Sequence, residues 1–335
     1  MTVQVYNYNA DGVDQQLDLA KINSKAFGKN KLVWIDVCGE EPAALKMIAK
    51  KLDAKLTAAF SAETKAKENT PQNYGEFLRF AVDTPPRARF LETDANDEEQ
   101  YRPAQEACRV IFYLSESWLV TVHDTEVDFI TDFRDQDKGE TLIGLLTPAA
   151  LTASLLDWYL GDYFDAVSLI AESVDALDER VLRETTSRSL LGRIVALRRR
   201  TARLREFLAR SRVAFYGLAR PDLLLIAGSE SATSYQNLIA RFERALDELE
   251  RARDLINGSF DLFSSRSSIQ TNTLVKVLTI VTAVLGYIGA TAGLFGMNLK
   301  SSLFNGGDGT FAVIVITLFT TSIGAILFAR YRRWI

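Results

Sequence analysis

Thr279, Thr282, Gly286, Gly289 and Gly293 recur at spacings of three, four, three and four, which puts them on one stripe of a helix. The opposite side of that helix carries Val277, Ile280, Val284 and Ile288. A small, weakly polar stripe on an otherwise apolar helix has two physical uses. It can border a narrow water-filled axis, where threonine hydroxyls and backbone carbonyls meet a hydrated ion. It can equally serve close helix packing, since Gly289 and Gly293 form a GxxxG pair. Just beyond the stripe stands Gly296-Met297-Asn298. Asn298 offers a neutral carbonyl oxygen that symmetry would multiply into a ring. Magnesium holds its water shell tightly and prefers oxygen, so a ring of carbonyls can recognise the hydrated ion through its waters. A ring of carboxylates would bind more strongly and slow release. The competing reading of Asn298 is an ordinary helix cap.

The element that must carry this stripe is a membrane span. No charge occurs from Val277 to Leu299, between Lys276 and Lys300. As a helix that run is about 35 Å long, enough for a hydrocarbon core of about 30 Å. A second uncharged run, Gly309 to Ala329, lies between Asp308 and Arg330. Lys276 precedes the first run, and Arg330, Arg332 and Arg333 follow the second, so both ends are expected on the cytoplasmic side. The connecting segment 300–308 would be a short external loop, with Asp308 its sole acid. Tyr331 and Trp334 sit where interfacial aromatics belong. Two helices cannot enclose a polar path alone. Either the hairpin anchors a soluble domain, or several copies each contribute one lining helix.

Composition excludes other classes. The chain has 335 residues, a formal net charge of −4, two cysteines (Cys38 and Cys108) and one histidine, His123. That is too little for a disulfide framework or a zinc finger. There is no Ser/His/Asp arrangement, phosphate-cradling glycine loop or metal-ligand cluster, so no enzyme is expected and His123 reads as part of a sheet edge. The amino terminus lacks a basic segment followed by an apolar stretch, so no secretory signal is expected.

Upstream of the spans the chain reads as soluble. Val3–Tyr8, Lys31–Val37, Glu76–Val82, Val110–Leu114 and Trp118–Val122 are rich in branched and aromatic residues and predict strands. Pro85-Pro86 and the acidic stretch 92–100 predict a loop or hairpin tip. After Pro148 the pattern turns helical. An acidic helix (Asp157, Asp162, Asp165, Glu172, Asp175, Asp178) precedes a basic one from Ser189 to Val213, and the two are expected to pair and neutralise each other. The arginines lack aromatic interleaving or a binding motif, which argues against nucleic acid. Tyr235, Leu238, Phe242, Ala245, Leu249, Ala252 and Ile256 form a heptad-like seam, suited to an oligomerisation coiled coil. Continued into the first span, this predicts one helix from Ser231 to Gly296, with Asn257-Gly258 as a bend. The expected fold class is an α+β cytoplasmic domain (an α/β sheet with helices), then a long helical stalk and two C-terminal transmembrane helices. Its segments are an α/β domain at 1–140, a helical hairpin at 141–220, a stalk helix at 221–276, a pore-lining span at 277–299, an external loop at 300–308, a second span at 309–329 and a basic tail at 330–335.

Gly296-Met297-Asn298, placed between the first of two carboxy-terminal spans and a short loop, resembles the signature of the CorA family of divalent-cation channels. Asp261, Ser265, Ser268, Asn272 and Lys276-Val277-Leu278-Thr279 resemble that family's approach to the membrane, and Tyr331-Arg332-Arg333-Trp334-Ile335 its basic, aromatic tail. Trp34-Ile35-Asp36-Val37 and Trp118-Leu119-Val120-Thr121-Val122-His123 are similar to two strands of its cytoplasmic domain. The resemblance implies a homopentameric funnel in the plasma (inner) membrane that admits Mg²⁺ passively, with no tightly bound cofactor. It implies a selectivity ring at Asn298, a polar pore position at Asn272 and a regulatory divalent-ion site at Asp261. Departures accompany it. Gly286 and Gly289 stand where family members commonly carry a proline and a bulky apolar residue, which moves the expected gate to Val275 and Leu278. The loop has Lys300 in place of the acidic Met-Pro-Glu-Leu pattern. The zinc-transporting ZntB branch shares the architecture, but its Gly-Ile-Pro-Gly stretch is missing. A ZntB-like zinc transporter and a non-conducting sensor or scaffold of the same build stay open as alternatives, with Co²⁺ and Ni²⁺ as other cargo ions.

Overall fold

A computed structural model describes residues 2–9, 14–19, 31–39, 42–52, 69–84, 108–136, 142–183, 188–228, 230–297 and 308–332. The chain divides into two compact units, Met1–Glu179 with Arg188–Ser259, and Arg180–Ser187 with Phe260–Ile335.

The first unit is built on a mixed sheet. Its strands are β1 (Thr2–Asn9), β2 (Gln15–Leu17), β3 (Lys31–Cys38), β4 (Gln72–Asn73), β5 (Phe77–Thr84), β6 (Cys108–Ser115) and β7 (Trp118–His123), in the order β2-β1-β3-β7-β6-β5-β4. Only the β3–β7 pairing is parallel, with Asp36 beside Thr121 and Cys38 beside His123. The five strands expected from composition are all present. β2 and β4 were not expected: they are short, polar edge strands. The prolines at 85–86 and the acidic stretch 92–100 lie outside the described residues.

Alternation along β3 sends its side chains to two cores. Val33, Ile35 and Val37 join Val5, Val120, Val122 and Phe77 under Ile48 and Ala49 of α1 (Pro42–Lys51). Trp34 points the other way, its ring 5.8 Å from Phe133 of α2 (Asp128–Asp135). On that side lie α3 (Pro148–Arg183) and α4 (Arg188–Leu218). Thr147 caps α3, its Oγ1 accepting from the Ala150 amide at 3.1 Å, with Pro148 as first helical residue. The backbone of Asp83 anchors these helices to β5. Its carbonyl accepts from Tyr159 at 2.9 Å and Tyr163 at 3.3 Å, and its amide donates to Ser211 at 3.0 Å.

After a short turn, α5 (Leu224–Ala227), the chain enters α6 (Ala232–Gly296), 65 residues helical throughout, Asn257-Gly258 included. Tyr235, Leu238, Phe242, Ala245, Leu249, Ala252 and Ile256 are buried within this one chain. The seam expected to build a coiled coil between copies is therefore the chain's own core: the Phe242 ring lies 4.7 Å from Phe215 of α4, and the Tyr235 hydroxyl donates to the Ala149 carbonyl of α3 at 2.9 Å. Part of the charge pattern is met by a third helix. Arg205 and Arg212 of the basic helix pair with Glu250 and Glu243 of α6, and Arg241 of α6 pairs with Asp157 of the acidic helix. The long helix thus offers ion-pair partners to both charge sets, while α3 and α4 also touch directly, with the Tyr159 and Ser211 hydroxyls 2.9 Å apart.

The second unit holds the rest of α6 and α7 (Asp308–Tyr331). Both helices are long and apolar enough to cross a membrane, and their apolar stretches are almost wholly uncovered by the chain itself.

Candidate functional site

Along α6 each residue advances about 100° around the axis and about 1.5 Å along it. On that scale Asn272, Val275, Leu278, Thr279, Thr282, Gly286, Gly289, Gly293 and Gly296 fall within an arc of about 120°. Every one of them is exposed in the chain. Among the apolar members, Leu278 is 62% and Val275 53% exposed. Gly286, Gly289, Gly293 and Gly296 have open space where a side chain would begin. Val277, Ile280, Val284 and Thr291, the partly covered positions of the span, centre on the opposite side of the helix. There the Tyr287 and Thr321 hydroxyls of α6 and α7 lie 3.2 Å apart. The outer helix thus attaches behind the small-residue stripe. Close packing within the hairpin does not use the glycines.

The threonines of the stripe are already donors. Thr279 donates to the Val275 carbonyl and Thr282 to the Leu278 carbonyl, each at 2.8 Å. With their protons held against the helix, the oxygens retain lone pairs, the polarity that accepts hydrogen bonds from a cation's water shell. Between Lys276 and Gly296 there is no ionisable acid or base apart from the Tyr287 phenol. Any attraction for a cation along this stretch must come from dipoles rather than from fixed charge.

Met297, just past the end of α6, is exposed. Asn298 lies outside the described residues. Asp308 begins α7. Asp261 is exposed and falls on the same arc as Asn272, about 16 Å before it. Among the described residues no three His, Cys, Asp or Glu side chains come together to hold a metal ion. A divalent ion at Asp261 therefore needs ligands beyond those this chain groups around it.

His123 is not at a sheet edge. β7 lies between β3 and β6, and the imidazole is buried at the end of this central strand. Its Nε2 lies 3.0 Å from Asp36 Oδ1 and its Nδ1 2.7 Å from the Thr125 carbonyl. Both partners accept, a pairing that favours the doubly protonated ring. Burial pulls the imidazole pKa down, but the hydrogen bond and charge of Asp36 and the Thr125 carbonyl outweigh it, and the net shift is upward. Thr121 donates to the same Asp36 oxygen at 2.5 Å, Trp34 donates to Thr121 at 3.0 Å, and Arg134 approaches Asp36 Oδ2 at 3.4 Å. This satisfied cluster has no ring nitrogen free for a metal or for general-base work. The sequence offered only a lone histidine at the end of an apolar run. Tyr287 and Thr321 were missed as well; their signal was a phenol within an uncharged run.

Comparison with known proteins places these features. Over 150 residues the chain is 29% identical to the cobalt/magnesium transport protein CorA of Thermotoga maritima, a match covering 45% of this chain and 42% of that protein. Over 153 residues it is 31% identical to the divalent cation transporter CmaX of Pseudomonas aeruginosa, covering 44% and 46%. These alignments span less than half the length of either relative. The fold extends further: the complete structure of the CorA magnesium transporter from Methanocaldococcus jannaschii superposes with a TM-score of 0.74 at 18% identity, covering 100% of both chains. The family of CorA-like Mg²⁺ transporter proteins matches residues 29–332, nearly the whole chain, and the chain belongs to that family.

Proposed function

We propose that this chain is the subunit of a homopentameric channel that lets hydrated Mg²⁺, or a related divalent cation, cross the plasma (inner) membrane down its electrochemical gradient. The observation that carries this reading is the position of the outer helix. α7 attaches to the side of α6 away from Thr279, Thr282, Gly286, Gly289 and Gly293, so five copies can turn that stripe toward a common axis without disturbing the hairpin. The N- and C-termini are on the cytoplasmic side in this reading. The names of the two relatives, which cite cobalt, magnesium and divalent cations, support the ion class.

In this reading Asn298, with Gly296 and Met297 shaping the turn, presents a ring of neutral amide oxygens to the ion's waters. Asp308 adds the sole acid of the external loop. Glycines at 286, 289 and 293 leave the middle of the path wide, and the threonine oxygens accept from water. Val275 and Leu278, bulky and apolar at the cytoplasmic end, form a constriction that closes by dewetting. Asn272 lines the exit. Asp261 contributes to a regulatory divalent site completed by a neighbouring subunit, so intracellular Mg²⁺ holds the pore shut.

Divalent uptake into proteoliposomes containing the full chain tests this. Asn298→Ala is expected to abolish selective uptake, and unchanged uptake would refute the pore assignment. In the same assay Asp261→Ala should weaken closure by millimolar Mg²⁺; equal inhibition of parent and variant would reject its regulatory role. A panel of Mg²⁺, Co²⁺, Ni²⁺ and Zn²⁺ separates the magnesium reading from a ZntB-like one. No flux of any ion would leave a scaffold.

A further inference from the structure

We infer that Tyr287 and Thr321 form a polar latch that fixes the rotation of the pore-lining helix against the outer helix, and so act as positioning residues for conduction. This rests on the channel reading above.

Proton bookkeeping defines the latch. Thr321 Oγ1 lies 2.8 Å from the Thr317 carbonyl, 3.1 Å from the Leu318 carbonyl and 3.2 Å from the Tyr287 hydroxyl, but it has one proton. The backbone carbonyl at 2.8 Å takes it, as the carbonyl four residues back does for Thr279, Thr282, Thr317 and Thr320. The Tyr287 phenol oxygen shares that proton as a more distant acceptor, Thr321 Oγ1 donating toward it at 3.2 Å. A threonine can close its hydroxyl on its own helix, whereas a phenol at the end of a long rigid ring cannot. Inside hydrocarbon no water replaces the partner, so losing Thr321 removes the donor that faces the phenol oxygen.

Directionality gives this bond its role. On α6 the partly covered Val277, Ile280 and Val284 are alkyl and Thr291 closes its hydroxyl on the Tyr287 carbonyl at 2.7 Å; on α7 Ile314, Val315, Leu318 and Ala329 are alkyl, with Ser322 a covered hydroxyl among them. Alkyl surfaces slide and rotate at little cost, because lipid tails solvate them as well as a neighbouring helix does. A hydroxyl pair tolerates no such slip. Rotation of α6 by one residue, about 100°, would carry the phenol away from Thr321 and swing Thr282 and Gly286 off the axis together. Gly286 and Gly289, with open space around both, supply no knob to resist that rotation.

The test uses the full chain in liposomes, with Cys38 and Cys108 replaced by serine. Single cysteines at Gly286 and at Val284 report which face meets water through modification by a charged thiol reagent. In the parent, the cysteine at 286 should label and that at 284 should not. With Tyr287→Phe or Thr321→Val the contrast should collapse, and divalent uptake should fall about three- to fifteenfold, the range of membrane hydrogen-bond couplings. The double variant should be no worse than either single one, and Thr321→Ser should restore parent behaviour. Size in detergent, measured for every variant, verifies assembly. Parent-like labelling contrast in both single variants, or losses that multiply in the double variant, would overturn the latch. Labelling needs no flux, so a parent that conducts nothing would sink the channel reading while the labelling contrast still decides the latch.

Discussion

The two halves of α6 carry the same three-and-four spacing and use it in opposite ways. From Tyr235 to Ser259 the repeat marks residues buried by the chain's own α3 and α4. From Phe260 to Gly296 no residue is fully buried, and the repeat marks residues left open. The first half is mostly apolar at the repeat positions, with Tyr235, Leu238, Phe242, Leu249 and Ile256 as its large members, which pays when the surroundings are water. From Thr279 onward the second half is small and weakly polar at them, on a helix otherwise apolar enough for lipid. Periodicity therefore identifies a face, and side-chain volume and polarity tell whether that face is a core or a boundary with something outside the chain.

Truncating a large side chain in each half would break that comparison most directly. Phe242→Ala empties a fully buried site whose ring lies 4.7 Å from Phe215, and a loss of about 3–5 kcal/mol is expected, read by denaturant unfolding of the detergent-solubilised protein. Leu285→Ala, at a position 61% exposed, should cost less than about 1 kcal/mol in the same measurement. Comparable losses at both positions would mean that the second half has a core of its own.

The next largest effect comes from adding volume. Gly289→Leu meets nothing in the chain, so the unfolding transition should not move. In a ring of five the same change fills the axis, and divalent uptake should drop by at least about tenfold, or about 1.4 kcal/mol in barrier. Parent-like uptake with parent-like assembly would place Gly289 away from the path.

How far the sequence carried the reading follows from where each interaction closes. β1, β3 and β5–β7 were legible because their own side chains demand burial. Gln15–Leu17 and Gln72–Asn73 were not, since a polar edge strand is recruited by its neighbour's unpaired backbone. The long helix and its buried face were legible from Tyr235 to Ile256, but a repeat does not name its partner, and the partner proved to be the same chain. The charge runs of α3 and α4 were plain in sequence, while the share that α6 takes in their ion pairs was not. The lining stripe could be read because helical neighbours are close in sequence. The Asp36–His123 contact joins residues 87 apart and depends on the parallel β3–β7 register, which no local pattern encodes.

The smallest effect sharpens the comparison through polar groups. In the spans, threonine protons close on the backbone and carry no pH dependence. In the first unit, His123 is held by charge and Asp162 is buried near other carboxylates, and that should be visible as a pH slope. His123 has a folded-state pKa above its unfolded value of about 6.5, so its contribution is complete below that pH and is lost as pH rises through the folded pKa. Asp162 acts in the same direction. Burial, with Asp128, Asp132 and Asp165 nearby, pushes its carboxyl up to about 8, so stability present below about pH 4 declines as pH rises toward 8. Asp162→Asn removes that second contribution and should raise stability at pH 8. The slope left in the variant above pH 6.5 then belongs to His123. Because the chain has one histidine, a selectively labelled sample gives a single imidazole titration. A midpoint above 6.5 is expected; a midpoint at or below it would mean that Asp36 and Thr125 do not hold the ring as imidazolium, and the contrast between charged and backbone-closed polar groups would fail.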